Sequence, residues 1–247
     1  LEMIFEEKFK DYKSLYLCVS GGADSAIGLY LVTKYIVDNN LDHKMTIVTG
    51  VEPQPEYCRN DKNAKKVVSI IQELFPTANI DKHLITFLEG YVRRRDDQPQ
   101  KFPKYARMKQ WHNNNWKEGD YDLGISFCSS FPKKEDLMLP ENEALYKKSL
   151  TIGPEDRSWT GKENDKIRGN PNRGGMWWEP FLNTTKKELA DYYYEHKLMD
   201  NLFPYTGSCT GDAKHTDNFT KPCQVCFWCL EKYWAFGMFD YPQAYKL

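Results

Sequence analysis

The apolar positions of this chain fall in short, nearly unbroken runs set between longer segments of helical period. Leu15-Tyr16-Leu17-Cys18-Val19 is the first run, and a strand so apolar is one buried on both faces, as parallel strands are between layers of helices. Beyond Ser20-Gly21-Gly22, the residues Ile27, Leu29, Tyr30, Leu31, Tyr35 and Ile36 predict a helix packed on a sheet. Asn39-Asn40 marks a turn. Met45-Thr46-Ile47-Val48 then forms a second β-prone run ending at Thr49-Gly50. Val67, Val68, Ile70, Ile71 and Leu74 recur at helical spacing until Pro76 stops them. The spacing further predicts a third strand over 82–87, a helix over 105–116 and a fourth strand over 121–128. Residues 3–13 read as a short amphipathic helix. Strands alternating with helices define an α/β fold, a parallel twisted sheet with flanking helices.

The rest of the chain is less periodic. Residues 132–178 hold one short helical stretch, and 151–178 is rich in Gly, Pro, Asn and charge. A loop of that length in a compact domain is usually either functional or disordered, and if functional it is expected to cover the site. Arg168, Arg173 and Trp177 are its candidates for meeting an anionic, planar substrate. Arg93-Arg94-Arg95 reads as a solvated face. Order returns in Glu179–Leu189, where Thr184 or Thr185 can cap a helix and Glu188 completes a capping box. That helix runs on towards Leu198.

Composition narrows the setting. A chain of 247 residues can bury a real core. Two parts are expected: an α/β domain over 1–205 and a cysteine-bearing tail, 206–247, packed on it. No stretch approaches the roughly 20 apolar residues of a membrane span. The first residues are charged and lack a signal-peptide core. A net charge of -1 gives no general pull towards nucleic acid, so nucleic acid is an unlikely partner. Seven cysteines without a secretory signal suggest thiols or metal ligands, and a cytoplasmic location. Of the 16 Tyr, 13 Phe and 7 Trp, many fall in polar segments, where they either pack under loops or stack on a planar ligand.

Two stretches carry chemistry. Ser20, Gly21, Gly22, Asp24 and Ser25 lie between a strand and a helix, where glycine lets the backbone turn tightly and approach a ligand. Loop N–H groups and the helix N-terminus then point at whatever occupies the turn, which makes an anion site. The stretch is neither GxxxxGK[ST] nor GxGxxG. Asp24 serves either as a carboxylate favoured by the helix dipole or as a ligand for Mg2+. In the tail, Cys223, Cys226 and Cys229 form overlapping C-x2-C pairs, and Cys209 can close the set. Four thiolates suit tetrahedral zinc. An iron–sulfur site, a redox pair and buried thiols without a partner are the alternatives, and His215 is a substitute ligand.

The string SGGADS resembles the SGGxDS loop of the PP-loop ATP pyrophosphatases, which have the adenine nucleotide alpha hydrolase-like, Rossmann-like fold. That resemblance implies ATP held by Ser20, Gly21, Gly22, Asp24 and Ser25, cleavage between the α and β phosphates, and Val48 and Thr49 near the adenine. PFLNTTKKEL resembles a second stretch of these enzymes, whose lysine reaches the phosphates; counted onto this chain it is Lys187, with Lys186 as the alternative. Ser208-Cys209 followed by C-x2-C-x2-C, and the ending Leu230–Phe236, are similar to the 7-cyano-7-deazaguanine synthase group. The resemblance covers both ends of the chain. In the middle, Cys128-Ser129-Ser130-Phe131 stands where that group carries its substrate signature. It implies an ATP-dependent ligase that adenylates a carboxylate, 7-carboxy-7-deazaguanine being the example, and uses ammonia to make an amide and then a nitrile. Lys187 and Asp24 would be catalytic, with ATP, Mg2+ and Zn2+ as cofactors and a homodimer left open. Two other readings remain: adenylation and thiolation of a tRNA base, with Cys128 or Cys58 carrying sulfur, and an inactive nucleotide-binding module.

Overall fold

The computed structural model describes residues 5, 8–51, 60–87, 122–150, 168–169, 176–211 and 214–247. Six strands form one sheet: β1 (Ser14–Cys18), β2 (Lys44–Val51), β3 (Ile80–Phe87), β4 (Leu123–Ser126), β5 (Arg168–Gly169) and β6 (Met176–Trp178). Their order is β3-β2-β1-β4-β6-β5. Every neighbouring pair is parallel except β5 and β6, which run antiparallel at one edge. The helices are α1 (Ala23–Asp38), α2 (Asn60–Leu74), α3 (Lys134–Leu137), α4 (Glu143–Ser149), α5 (Lys186–Glu195) and α6 (Phe227–Phe236). The predicted helix over 105–116 lies outside the described residues.

Alternation along the strands gives each face of the sheet its own packing. Leu15, Leu17, Met45, Ile47, Leu123, Ile125 and Trp178 face the main core, together with Ile27 of α1, Val67 and Ile71 of α2, Leu189 and Tyr193 of α5, and Phe236 of α6. Tyr16, Val48 and Trp177 cluster separately, with Cys18 against them. Two glycines make the close approaches possible. A Cβ on Gly28 would lie 2.1 Å from the Phe127 ring, and one on Gly124 would lie 2.1 Å from the Trp177 indole. Phe127 thus locks the end of β4 onto α1.

One expectation is corrected here. Trp177 was expected in a loop over the site, but it is 5% exposed, sits on β6 and packs against Tyr16. Burial between β4 and β5 makes a strand of a stretch whose residues carry no period of their own. Among the described residues, no helix is long and apolar enough to cross a membrane.

Candidate functional site

The chain winds from β1 through β2 to β3 on one side and returns to β4 on the other side of β1. The carboxyl ends of β1 and β4 therefore flank a topological switch point, where open α/β sheets bind ligands. The Ser20–Ser25 loop leaves β1 at this point. Gly21 has φ of +78°, a conformation that L side chains resist. Ser25 Oγ donates to the Gly22 carbonyl at 3.1 Å and accepts from the Ser20 N–H at 3.1 Å, while the Gly22 N–H reaches Ser20 Oγ at 3.3 Å. The loop is thus shaped by its own serines. Gly22 is the N-cap of α1 and gives no side-chain cap, so the helix N-terminus keeps its donors for an anion. A Cβ on Gly22 would meet nothing nearer than 3.4 Å; protein packing does not demand glycine there, whereas a ligand lying against the backbone does.

Side chains from three further elements converge on this loop. Asp24 Oδ2 accepts from Ser129 Oγ at 2.7 Å and from the Ser129 N–H at 3.2 Å, tying the loop after β4 to α1. Asp24 Oδ1 lies 3.1 Å from Lys186 Nζ, and Glu231 Oε2 of α6 lies 3.0 Å from the same nitrogen. Lys186 is 3% exposed and Glu231 wholly buried. Lys186 is placed by the start of α5. Thr185 Oγ1 accepts from the Glu188 N–H at 3.3 Å, and the Glu188 carboxylate takes the Thr185 N–H at 2.7 Å, closing the expected capping box. The Ser130 N–H donates to the Thr184 carbonyl at 2.8 Å, which docks this helix start beside the β4 loop. Lys187, one residue on, is exposed and turns away, its ammonium 5.7 Å from the centre of the Trp234 ring.

Thr49 is buried at the carboxyl end of β2, donating from Oγ1 to the Val19 carbonyl at 2.6 Å. His83 Nε2 is 2.8 Å from the same oxygen. Since the Thr49 proton is used on Val19, His83 donates here through Nε2–H. Burial, with Lys65 nearby, lowers the His83 pKa and so favours the neutral ring. Val48 packs against Tyr16 and Trp177. Cys128 is exposed just beyond β4, with its sulfur 4.0 Å from Ser126 Oγ. Cys58, Arg173 and Arg93-Arg94-Arg95 lie outside the described residues, as does the side chain of Arg168.

The tail brings together Cys209, Cys223, Cys226 and Cys229, with sulfurs all within 4.8 Å of one another. Sulfurs around one tetrahedral zinc at 2.3 Å stand about 3.8 Å apart, so the set fits a single ion after small shifts. A multi-iron cluster with bridging sulfides would hold them farther apart. N–H groups of Gly211 and Cys223 donate to the Cys209 sulfur, and that of Cys226 to the Cys223 sulfur. Gln224, inside the turn, adopts φ of +62°. Hydrogen bonds shared among the thiols lower Cys223 to about 7 and Cys226 well below the ordinary thiol range, while Cys209 and Cys229 are pushed up. Exposed His215 is not part of the set.

This tail is joined to the loop. The Gly207 N–H donates to the Gly21 carbonyl at 3.0 Å. Asp240 Oδ2 accepts from the Ser208 and Cys209 N–H groups, and Asp240 Oδ1 lies 2.6 Å from Lys232 Nζ. Fully buried Lys232 also donates to the Thr206 carbonyl at 2.9 Å. Burial lowers the Lys232 pKa, an effect the Asp240 carboxylate opposes. Phe236 reaches the main core beside Phe203 and Tyr193. Sequence reasoning missed Glu231 and Lys232. Their signal was two adjacent charges inside the otherwise apolar FWCLEKYWAF helix.

The fold and site together define an α/β sheet with a strand–loop–helix turn of uncapped helix N-terminal donors at its switch point and a four-thiol cluster packed against it. No protein-family model matches the chain, and neither does any curated protein. Among solved structures the chain is similar to the NAD+ synthetase from Burkholderia pseudomallei, at 10% identity and a TM-score of 0.43, over 96% of this chain and 78% of that one. It is also similar to the NMN synthetase from Francisella tularensis, at 10% identity and a TM-score of 0.43, over 94% of this chain and 82% of that one. Likenesses this distant leave the function to the chain's own residues.

Proposed function

We propose that the chain is an ATP-dependent ligase of the PP-loop kind, holding the nucleotide phosphates on Ser20–Ser25 and cleaving between the α and β phosphates. The observation that carries the reading is the buried Lys186 ammonium at the rim of a loop whose N–H groups and helix N-terminus already suit an anion. In this reading a substrate carboxylate oxygen attacks the α-phosphorus, the bond to the α,β-bridging oxygen breaks, and pyrophosphate leaves; Mg2+ would offset charge on the phosphates. Ammonia then attacks the acyl carbon of the adenylate, releasing AMP and a proton and leaving an amide. Lys186, rather than Lys187, offsets charge on the leaving phosphates, because it alone of the two faces the loop. Thr49 and Val48, at the end of β2, border the base. The four thiols hold zinc as a closed structural centre, with no open position for chemistry.

The finer reading, a 7-cyano-7-deazaguanine synthase-like enzyme, rests on the sequence resemblance at the two ends of the chain. The test is product analysis with α-labelled ATP, Mg2+, ammonium and 7-carboxy-7-deazaguanine. AMP and pyrophosphate formed only with the acid present support both levels. AMP formed without change in the acid retains the ligase class and rejects this substrate; ADP as the product rejects the class. Exposed Cys128 beside the site favours one second reading, sulfur transfer to an adenylated tRNA base, which predicts loss of product in Cys128→Ser with tRNA as acceptor.

A further inference from the structure

Glu231 is wholly buried on α6, in the part of the chain that otherwise serves the thiol centre, yet its carboxylate is 3.0 Å from Lys186 Nζ. A buried carboxylate is costly to desolvate and persists only where strongly partnered. Lys186 already has Asp24 at 3.1 Å, so Glu231 is not required merely to pair one charge with one charge. The two carboxylates come from different elements, Asp24 from the first turn of α1 beside the Ser20–Ser25 loop and Glu231 from α6. A lysine has reach but little direction of its own, because its ammonium is a point charge on a flexible stem. A fixed second carboxylate supplies the direction.

We propose that Glu231 is a positioning residue: it anchors Lys186 so that the ammonium stays turned to the Ser20–Ser25 loop when phosphate oxygens compete with Asp24 for it. The proposal rests on the nucleotide reading above. Glu231 is itself held in register with the loop. The next residue, Lys232, bonds Asp240 and Thr206; Asp240 takes the Ser208 and Cys209 N–H groups, and Gly207 bonds Gly21. Adjacent residues of one helix therefore serve two ends of the same assembly, Glu231 the phosphate lysine and Lys232 the segment that carries Cys209.

The test is a binding cycle on the full chain with Mg2+ and α,β-methylene ATP, read by calorimetry for wild type, Glu231→Gln, Lys186→Met and the double variant. Glutamine keeps the size and an acceptor oxygen but removes the charge. The expected result is affinity weakened about tenfold in Glu231→Gln, with unchanged bound metal, and no further loss when Glu231→Gln is added to Lys186→Met. A residue that only supports the fold would instead weaken both backgrounds alike. Should Glu231→Gln not fold, Glu231→Asp keeps the charge one methylene shorter, and the same non-additive loss is expected. A wild type that binds, beside a variant that binds equally well or adds its full effect to Lys186→Met, overturns the positioning role alone. A wild type that does not bind the analogue overturns the nucleotide reading and this proposal with it.

Discussion

Replacing Lys186 by Met separates the two adjacent lysines more sharply than any other change. Lys186 Nζ has Asp24 at 3.1 Å and Glu231 at 3.0 Å, and its side chain is 4% exposed. Methionine matches the stem but removes the ammonium, leaving the wholly buried Glu231 and the largely buried Asp24 facing an apolar group. Breaking a buried ion pair in this way costs about 3–5 kcal/mol, since the remaining charge stays desolvated. For a chain of this size, that lowers the melting temperature by roughly 6–20 °C. Lys187→Met removes only an exposed contact of the ammonium with the Trp234 ring at 5.7 Å, worth about 0.5–1 kcal/mol. Thermal melts of the two variants, followed by far-ultraviolet circular dichroism, decide the matter. Adding Glu231→Gln to Lys186→Met should recover part of the loss by removing one of the stranded charges. A Lys186→Met protein that melts with wild type, or a Lys187→Met protein that loses as much, would refute the placement of the buried charges.

Three further outcomes follow from the geometry. Hydrogen bonds from its thiol neighbours lower the Cys223 pKa and favour its ionised form. A bound metal needs all four thiols ionised, so metal retention should fall as the solution is acidified, measured by competition with a colorimetric zinc chelator; retention unchanged in acid would contradict thiolate binding. Gly21→Ala places a Cβ at φ of +78° and should cost about 1–2 kcal/mol in a denaturant melt, with weaker nucleotide binding besides. Thr185→Ala removes the cap of α5 and should cost about 1 kcal/mol, while Thr184→Ala, whose side chain caps nothing, should cost less in the same melt.

Much of this fold is written in runs of apolar residues. β1 and β2 were legible because strands buried on both faces must be apolar at consecutive positions, the edge strand β3 through the short run Leu84–Phe87, and α2 because one of its faces is buried against the sheet. β6 was not, since Met176-Trp177-Trp178 is too short for any period and becomes a strand only by pairing with β4. The anion loop was legible in its serines and glycines. The choice between Lys186 and Lys187 was not, because successive helical positions differ by about 100° in direction and only the docking of Thr184 on Ser130 sets which one faces the loop. Glu231 was hidden for a related reason: its partner lies 45 residues away in sequence, and only the packed fold joins them. Three of the four thiols needed no such help, since C-x2-C spacing brings Cys223, Cys226 and Cys229 together locally, whereas Cys209 joins them from 14 residues before Cys223.

The central claim is that the Ser20–Ser25 loop is a nucleotide phosphate site with Lys186 at its rim. A crystal structure of the full chain with α,β-methylene ATP and Mg2+ tests it most directly. The account predicts phosphate oxygens on the N–H groups of this loop and within hydrogen-bond reach of Lys186 Nζ, with the base beside Thr49. Phosphates bound elsewhere on the sheet, or reached by Lys187 with Lys186 still closed on Asp24 and Glu231, would contradict it.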